Sequence, residues 1–212
     1  MRLTVFGATG GVGGHVVRQA LARGDQVTAV VRDRSKLTVR HERLDVVVAD
    51  LTDPRALALA PARVDSEAAI SAGGASTPRD AGVATAATRT IIAALASGGV
   101  RQFVAVSAAP VGPVPTGEGL VTRAVVLPLL RRVFRDVYAD LATMEEEIRR
   151  SGLDWTIVRP PKLTNGPLTG RYRVAPENVA HSRTISRADV ADAMLSALDD
   201  ADRVNQAIGV SN

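Results

Sequence analysis

No cysteine occurs in the chain, which excludes disulfides, thiolate metal ligands and a cysteine nucleophile. Aromatic residues make up only 3% of the 212, so the core must be aliphatic and the rings needed to stack nucleic-acid bases are nearly absent. That shortage, with basic residues scattered along the chain, argues against nucleic-acid binding despite a net charge of +4. No apolar run approaches the roughly 18 residues of a membrane span. The opening "MRLTVFGATG" lacks the charged-then-apolar pattern of a signal peptide. The expectation is a soluble cytoplasmic protein with a small-molecule substrate and neither membrane nor nucleic-acid partner, acting as a monomer or homodimer. Lysine is scarce too: Lys36 and Lys162 stand against 24 arginines.

What is present is a rhythm of β-branched runs alternating with helical patterns, the signature of a parallel sheet covered on both faces. Strands are expected near 2–6, 26–31, 45–49, 67–72, 102–106, 154–158 and 205–209. This predicts an α/β, doubly wound, Rossmann-like domain over 1–212, with about six to seven mainly parallel strands. The first helix should run from Gly11 to Arg23 and stop at Gly24. A second should cover 79–97 and end where Gly98 or Gly99 turns left-handed. The segment 117–150 contains Pro128 and should break or kink near 127. In "SRAD", Ser186 can cap the amide of Asp189 at the start of the last helix. The Pro- and Gly-rich stretch 159–185 is too long for a plain connection and reads as a substrate-side insert.

The first strand leads into "GATGGVGG", which places Gly7, Gly10 and Gly13 at G-x-x-G-x-x-G spacing before a helix. Glycines there permit a tight turn, let backbone amides approach a pyrophosphate, and let helix and strand pack closely. A lone glycine string is weak, but this one occupies the first strand-turn-helix unit of an alternating α/β chain. Dinucleotide binding follows.

The end of the second strand selects the dinucleotide. An NAD site usually offers a carboxylate to the ribose there, whereas this chain reads "TAVVRDRSKL", with Arg32 at the strand end and Arg34 and Lys36 behind it. Arg32 can present a planar fork to a 2′-phosphate, each charge-assisted bond being worth about 1.5–3 kcal/mol. Arg34 and Lys36 either assist or lie on a solvated loop. Asp33 should point elsewhere. NADP(H) is therefore the expected cofactor. Asp50, with Leu51 behind it, stands where the third strand should meet adenine, although Asp50 could instead cap the turn in "DLTDP". Ser71 to Gly74 lie where the fourth strand should meet the nicotinamide ribose.

The tyrosine-x-x-x-lysine acid of most short-chain dehydrogenases is missing: Tyr138 is the one tyrosine on a suitable helix, and Ala142 follows it by four. Two readings survive. The chain binds its cofactor without turnover, as a redox sensor, or it reduces a conjugated acceptor that spreads the incoming electrons and takes its proton from water.

The strings "FGATG", "VTAVVRD", "SGLDWTIVRPPKLTNGPLTG" and "SRTISRADVADAML" span nearly the whole chain. Together they resemble the atypical short-chain dehydrogenase/reductase family that includes flavin reductase (biliverdin IXβ reductase) and NmrA-like proteins. The resemblance implies one Rossmann domain, NADPH preference and a shallow site of broad acceptor range. It implies that Ser107, ending strand five, lies beside the nicotinamide, where its hydroxyl could bind the acceptor's oxygen or relay a proton. It also implies that Pro160 and Pro161, after Arg159, lie against the nicotinamide. Where flavin reductase has histidine this chain has Lys162, read as a substrate-side charge or a rim lysine.

The cofactor contacts expected are thus Gly7, Thr9, Gly10, Gly11, Val12 and Gly13 in the turn, Arg32, Lys36, Asp50 and Leu51 beyond strands two and three, and Ala72, Gly73, Ser107, Pro160 and Pro161 beyond the later strands. Ser107, Lys162 and Tyr138 are the catalytic candidates, Tyr138 as a hydrogen-bond donor or as a helix-interface residue. Glu145 to Glu147 read as a solvated helix face. His15, His41 and His181 have no partner at metal-ligand spacing. His181 and Arg183 belong to the insert, as substrate-rim or plain loop residues. The resemblance also leaves open an epimerase or dehydratase acting on a specialised metabolite.

Overall fold

The computed structural model describes residues 1–53, 66–73 and 82–212. Along them run β1 (Arg2–Phe6), α1 (Gly11–Ala22), β2 (Gln26–Val31), β3 (Leu44–Val48), β4 (Ala68–Ser71), α2 (Val83–Ser97), β5 (Gln102–Val106), α3 (Leu127–Val133), α4 (Arg135–Arg150), β6 (Asp154–Arg159), β7 (Lys162–Thr164), β8 (Arg173–Pro176), β9 (Thr184–Ser186), α5 (Arg187–Leu198) and β10 (Gln206–Ser211).

The sheet is ordered β3-β2-β1-β4-β5-β6-β10-β8. All neighbours are parallel except β8, which runs antiparallel to β10 with Val174 opposite Val210. Phe6 lies between Val30 and Ser71 in register, so the strand order reverses direction at the β1/β4 gap. In open α/β sheets this reversal opens a crevice beyond the carboxyl ends of the strands.

Both sheet faces are buried, as parallel strands flanked by helices require. On one face Leu3, Val5, Val27 and Ala29 pack with Val16 and Val17 of α1 and Met194 and Leu195 of α5. On the other, Phe6, Val30 and Phe103 pack with Ile91 and Leu95 of α2 and with Leu141, Met144 and Ile148 of α4. Apart from Phe6 and Phe103, the largest fully buried side chains are Leu, Ile and Met. The core is aliphatic.

The seven expected strands all form, with ends shifted by at most two residues. The eighth, β8, comes from the insert, which also contributes β7 to a small parallel pair with β9. Gly24 (φ +93°) and Gly99 (φ +69°) take left-handed conformations just past α1 and α2. The Ser186 hydroxyl accepts the Asp189 amide at 2.9 Å. The expected positions 79–81 of the second helix, and Gly74, lie outside the described residues.

The interruption expected near 127 takes another form. A π-helical turn over Thr122–Val126 runs directly into α3. Pro128 therefore lies inside a continuous helical segment, and the wider π turn just before it accommodates the residue whose amide is missing. The helix breaks outright further on, at Phe134 (φ −108°, ψ 29°).

Candidate functional site

At the carboxyl edge of the sheet the glycine turn is held by backbone contacts that exclude side chains. Gly7 has φ +73°, and a Cβ there would lie 2.7 Å from the Gly73 nitrogen. A Cβ on Gly13 would lie 2.1 Å from the Gly7 carbonyl oxygen, which itself accepts the Gly10 amide at 2.9 Å. Turn, β4 end and α1 therefore meet main chain to main chain. Gly10 caps α1 without a side-chain acceptor, and the first turn carries no acid. Amides at that end are left to an outside acceptor, and an anion fits. Gly7 and Gly13 thus make the tight turn and the close helix–strand packing that their spacing predicts. Gly73 and Ala72 lie across the turn, Ala72 donating its amide to Phe6 O at 3.0 Å. Val12 is buried beneath it.

A cavity of about 240 Å³ opens beside the turn, and Thr9, Gly10, Gly11 and Lys36 of the expected contacts line it. Arg32 is exposed at the end of β2 and is not among the lining residues. Asp33 turns away, its Oδ1 accepting the Ser35 amide at 2.9 Å and the Ser35 hydroxyl at 2.7 Å. Asp50 is exposed and caps its own turn, accepting the Thr52 amide (3.0 Å) and hydroxyl (2.8 Å). Those bonds, with the Arg32 charge as a smaller contribution, hold its carboxyl below the usual range. The turn-capping alternative for Asp50 is therefore realised. Leu51 packs on the α2/α4 side of the core.

Ser107 follows β5 and is 8% exposed. Its hydroxyl donates to Glu145 Oε1 at 2.6 Å. Glu145 is 1% exposed, not part of a solvated face; of the three acids, the two that follow it keep that description, with side chains 48% and 33% exposed. Arg159, 3% exposed, grips both carboxylate oxygens of Glu145 from the end of β6, at 2.9 and 2.5 Å. Arg149 adds a bond of 2.8 Å, and Glu177 takes the remaining Arg159 nitrogen at 2.5 Å. Burial pushes the Glu145 carboxyl up, but bonds from Arg159 and Ser107 outweigh it and leave it below the ordinary range. Burial likewise disfavours the Arg159 charge, and Glu145 with Glu177 overcomes it. With its proton directed at a carboxylate, Ser107 offers the site lone pairs.

Pro160 is buried and its carbonyl accepts the Ala109 amide at 2.9 Å, joining the loops after β5 and β6. Pro161 is half-buried and Lys162 exposed at the head of β7, opposite Thr184. Tyr138 is half-buried, its ring 6.0 Å from that of Phe134, and shares no hydrogen bond with Ser107. Burial raises its pKa, so it keeps its proton. Arg131 of α3 ties this helix to the loop after Ser107, donating to the Pro110 and Gly112 carbonyls at 3.0 Å each. Leu129, Val133 and Phe134 remain exposed alongside. His181 is exposed, with its amide on Glu118 (3.0 Å), and Arg183 is exposed. Among the described residues no three His, Asp or Glu side chains converge on one point, and no helix is long and apolar enough to cross a membrane.

Residues 7–201 match the model of an NAD(P)H-binding protein family, and the chain belongs to that family. An uncharacterised chloroplastic protein of Arabidopsis thaliana is 33% identical over 204 residues, covering 93% of this chain and 71% of the relative. A short-chain dehydrogenase/reductase of Veillonella parvula, solved with NADP, superimposes with a TM-score of 0.76 at 22% identity, over 100% of this chain and 94% of the other. A candidate NADH-flavin reductase of Streptococcus pneumoniae gives 0.78 at 24% identity, over 100% and 99%. These likenesses establish a Rossmann-like NAD(P)H-binding fold.

Sequence reasoning missed Glu145, and it missed Arg18, Asn165 and Arg187, which also line the cavity. Glu145 did leave a signal: it lies on the stripe of Val137, Leu141, Met144 and Ile148, where a charge must find a buried partner. The cavity residues left none, because they come from three separate segments.

Proposed function

We propose that the protein is an NADPH-dependent reductase that delivers hydride to a conjugated acceptor such as a flavin or quinone. The observation that carries this reading is the pairing of an anion-ready glycine turn with a Ser107 whose proton is engaged by Glu145. When bound, NADPH would supply the hydride. Gly7, Thr9, Gly10, Gly11, Val12 and Gly13 would hold the pyrophosphate, and Arg32 and Lys36 would face the 2′-phosphate. Asp50 and Leu51 would border the adenosine, while Ala72, Gly73, Ser107, Pro160 and Pro161 would frame the nicotinamide. Ser107, presenting lone pairs, suits a donor such as a carboxamide N–H. It is a poor proton donor. An acceptor that delocalises charge and draws its proton from water matches such a site, and the exposed apolar side chains of α3 suit a flat, apolar molecule. Lys162 would attract an anionic group on the acceptor, and Tyr138 can offer it a hydrogen bond. The solved relatives described with NADP and as a candidate flavin reductase support the reading.

The lack of a placed acid among the described residues also favours a second reading, a non-catalytic sensor of cofactor redox state. Incubation with NADPH and a panel of FMN, riboflavin, quinones and bilins separates them. Loss of reduced-nicotinamide absorbance with at least one acceptor is expected. No oxidation with any, together with unequal affinity for NADPH and NADP⁺, would establish the sensor instead.

A further inference from the structure

The cavity beside the glycine turn collects three basic side chains from three segments: Arg18 from α1, Lys36 from the turn after β2, and Arg187 from the start of α5. By contrast Arg23, at the far end of α1, is ion-paired with Asp25 and Asp199. Among the described residues, no carboxylate pairs with Arg18, Lys36 or Arg187. Like charges gathered without a counter-ion repel one another, and an anion relieves that cost.

The backbone makes room for two of them. A Cβ on Gly11 would lie 2.6 Å from Arg187 Cδ and 2.7 Å from its Nε, so this side chain crosses the first residue of α1. Asn165 Oδ1 accepts from Arg187 Nη1 at 2.6 Å and fixes the guanidinium. A Cβ on Gly14 would lie 3.5 and 3.8 Å from the two terminal nitrogens of Arg18, which therefore folds back toward the same helix end. Gly11 and Gly14, outside the G-x-x-G-x-x-G spacing, form a bed for two guanidinium groups. Between them His15 is pushed toward its neutral form by burial and then by Arg18 and Arg187.

We propose that Arg18, Lys36 and Arg187 form a phosphomonoester clamp that holds the 2′-phosphate of NADP(H) and sets the preference for it over NAD(H), ahead of Arg32. The proposal rests on the reading that the glycine turn binds the cofactor. Pre-orientation of Arg187 by Asn165 lowers the ordering cost of the contact.

Affinity for NADPH, NADH, 2′,5′-ADP and 5′-AMP, measured by calorimetry on the full chain, tests it. Arg187→Ala, Arg18→Ala and Lys36→Ala should each weaken NADPH and 2′,5′-ADP by about ten- to hundredfold. NADH and 5′-AMP should change by less than about twofold, and Arg32→Ala should discriminate less than Arg187→Ala. Inorganic phosphate should compete with NADPH far more than with NADH. Thermal melts confirm that each variant is folded, and Arg187→Lys, which keeps the charge, should recover part of the loss. Equal weakening of NADPH and NADH would assign these cations to the pyrophosphate and overturn the clamp. So would unchanged affinity for both, or a larger effect from Arg32→Ala. If the parent protein bound neither nucleotide, the glycine-turn reading itself would fail.

Discussion

Glu145 carries its charge in a place where water cannot reach it. Three side chains hold it there with four hydrogen bonds, two from Arg159 and one each from Ser107 and Arg149. Removing one partner of a buried pair leaves the other charge stranded, which typically costs about 3–5 kcal/mol. Glu145→Ala should destabilise the fold by that order, seen as a lower denaturation midpoint. The pH dependence has a definite sign. The folded-state pKa of Glu145 lies below the ordinary value, so its contribution is complete above about pH 4.3 and is lost as pH falls through the folded pKa. Glu145→Gln should flatten the stability curve in that acid range; an unchanged acid limb would show that the carboxylate adds nothing there. For Ser107→Ala the expectation is a lower kcat with cofactor affinity held within about twofold, from stopped-flow turnover and equilibrium binding. Unchanged turnover with every acceptor would leave Ser107 a strand-end residue. At this scale the glycine turn was legible because backbone approach admits no other residue. Glu145 was not, because its neighbours Glu146 and Glu147 made one buried acid look like a run of solvated ones.

The elements were easier to read than their junctions. Short β-branched runs specify buried strands directly, and all seven expected strands form. The antiparallel β8 could not be read, since "RVAP" gains its partner only when β10 presents an open edge with Val210 opposite Val174. Pro128 does disturb the helix near 127, but as a π turn over Thr122–Val126 rather than as a break. Junctions also borrow side chains from afar. Helix α2 begins at Gly82 with no cap of its own. Asp140, from α4, instead accepts the amides of Ala84 and Thr85 at 3.0 Å each. Asp140→Ala should therefore cost about 1–2 kcal/mol, as loss of a helix cap does, and should loosen α2 against α4. Amide exchange should quicken at the first turn of α2 before it does in α1, and uniform protection would refute the cap. At the glycine turn, a Cβ on Gly13 has no space against the Gly7 carbonyl. Gly13→Ala must move α1 off β1 and should abolish binding of NADH and NADPH alike, with a lower melting temperature. Retained binding would mean the turn does not receive the cofactor.

For the molecule as a whole, the proposed reading puts phosphate recognition beyond β2 and acceptor recognition beyond β6, with one of the two lysines following each strand. Lys36 lines the basic cavity by α1; Lys162 stands exposed beyond Pro160 and Pro161. An exposed ammonium in water acts over roughly 10 Å at moderate salt and less as salt rises. Its effect should therefore depend on the charge of the acceptor and on ionic strength. With FMN, whose phosphate is anionic, Lys162→Ala should raise KM by about three- to tenfold at low salt. The difference between variant and parent should shrink as salt is added. Riboflavin, with the same ring system and no phosphate, should show little change, because the apolar contact proposed along the exposed Leu129, Val133 and Phe134 is untouched. A KM for FMN unaltered by the substitution would make Lys162 a rim residue without a part in recognition. An equal rise for both flavins would mean that the side chain supports the shape of β7 rather than attracting charge.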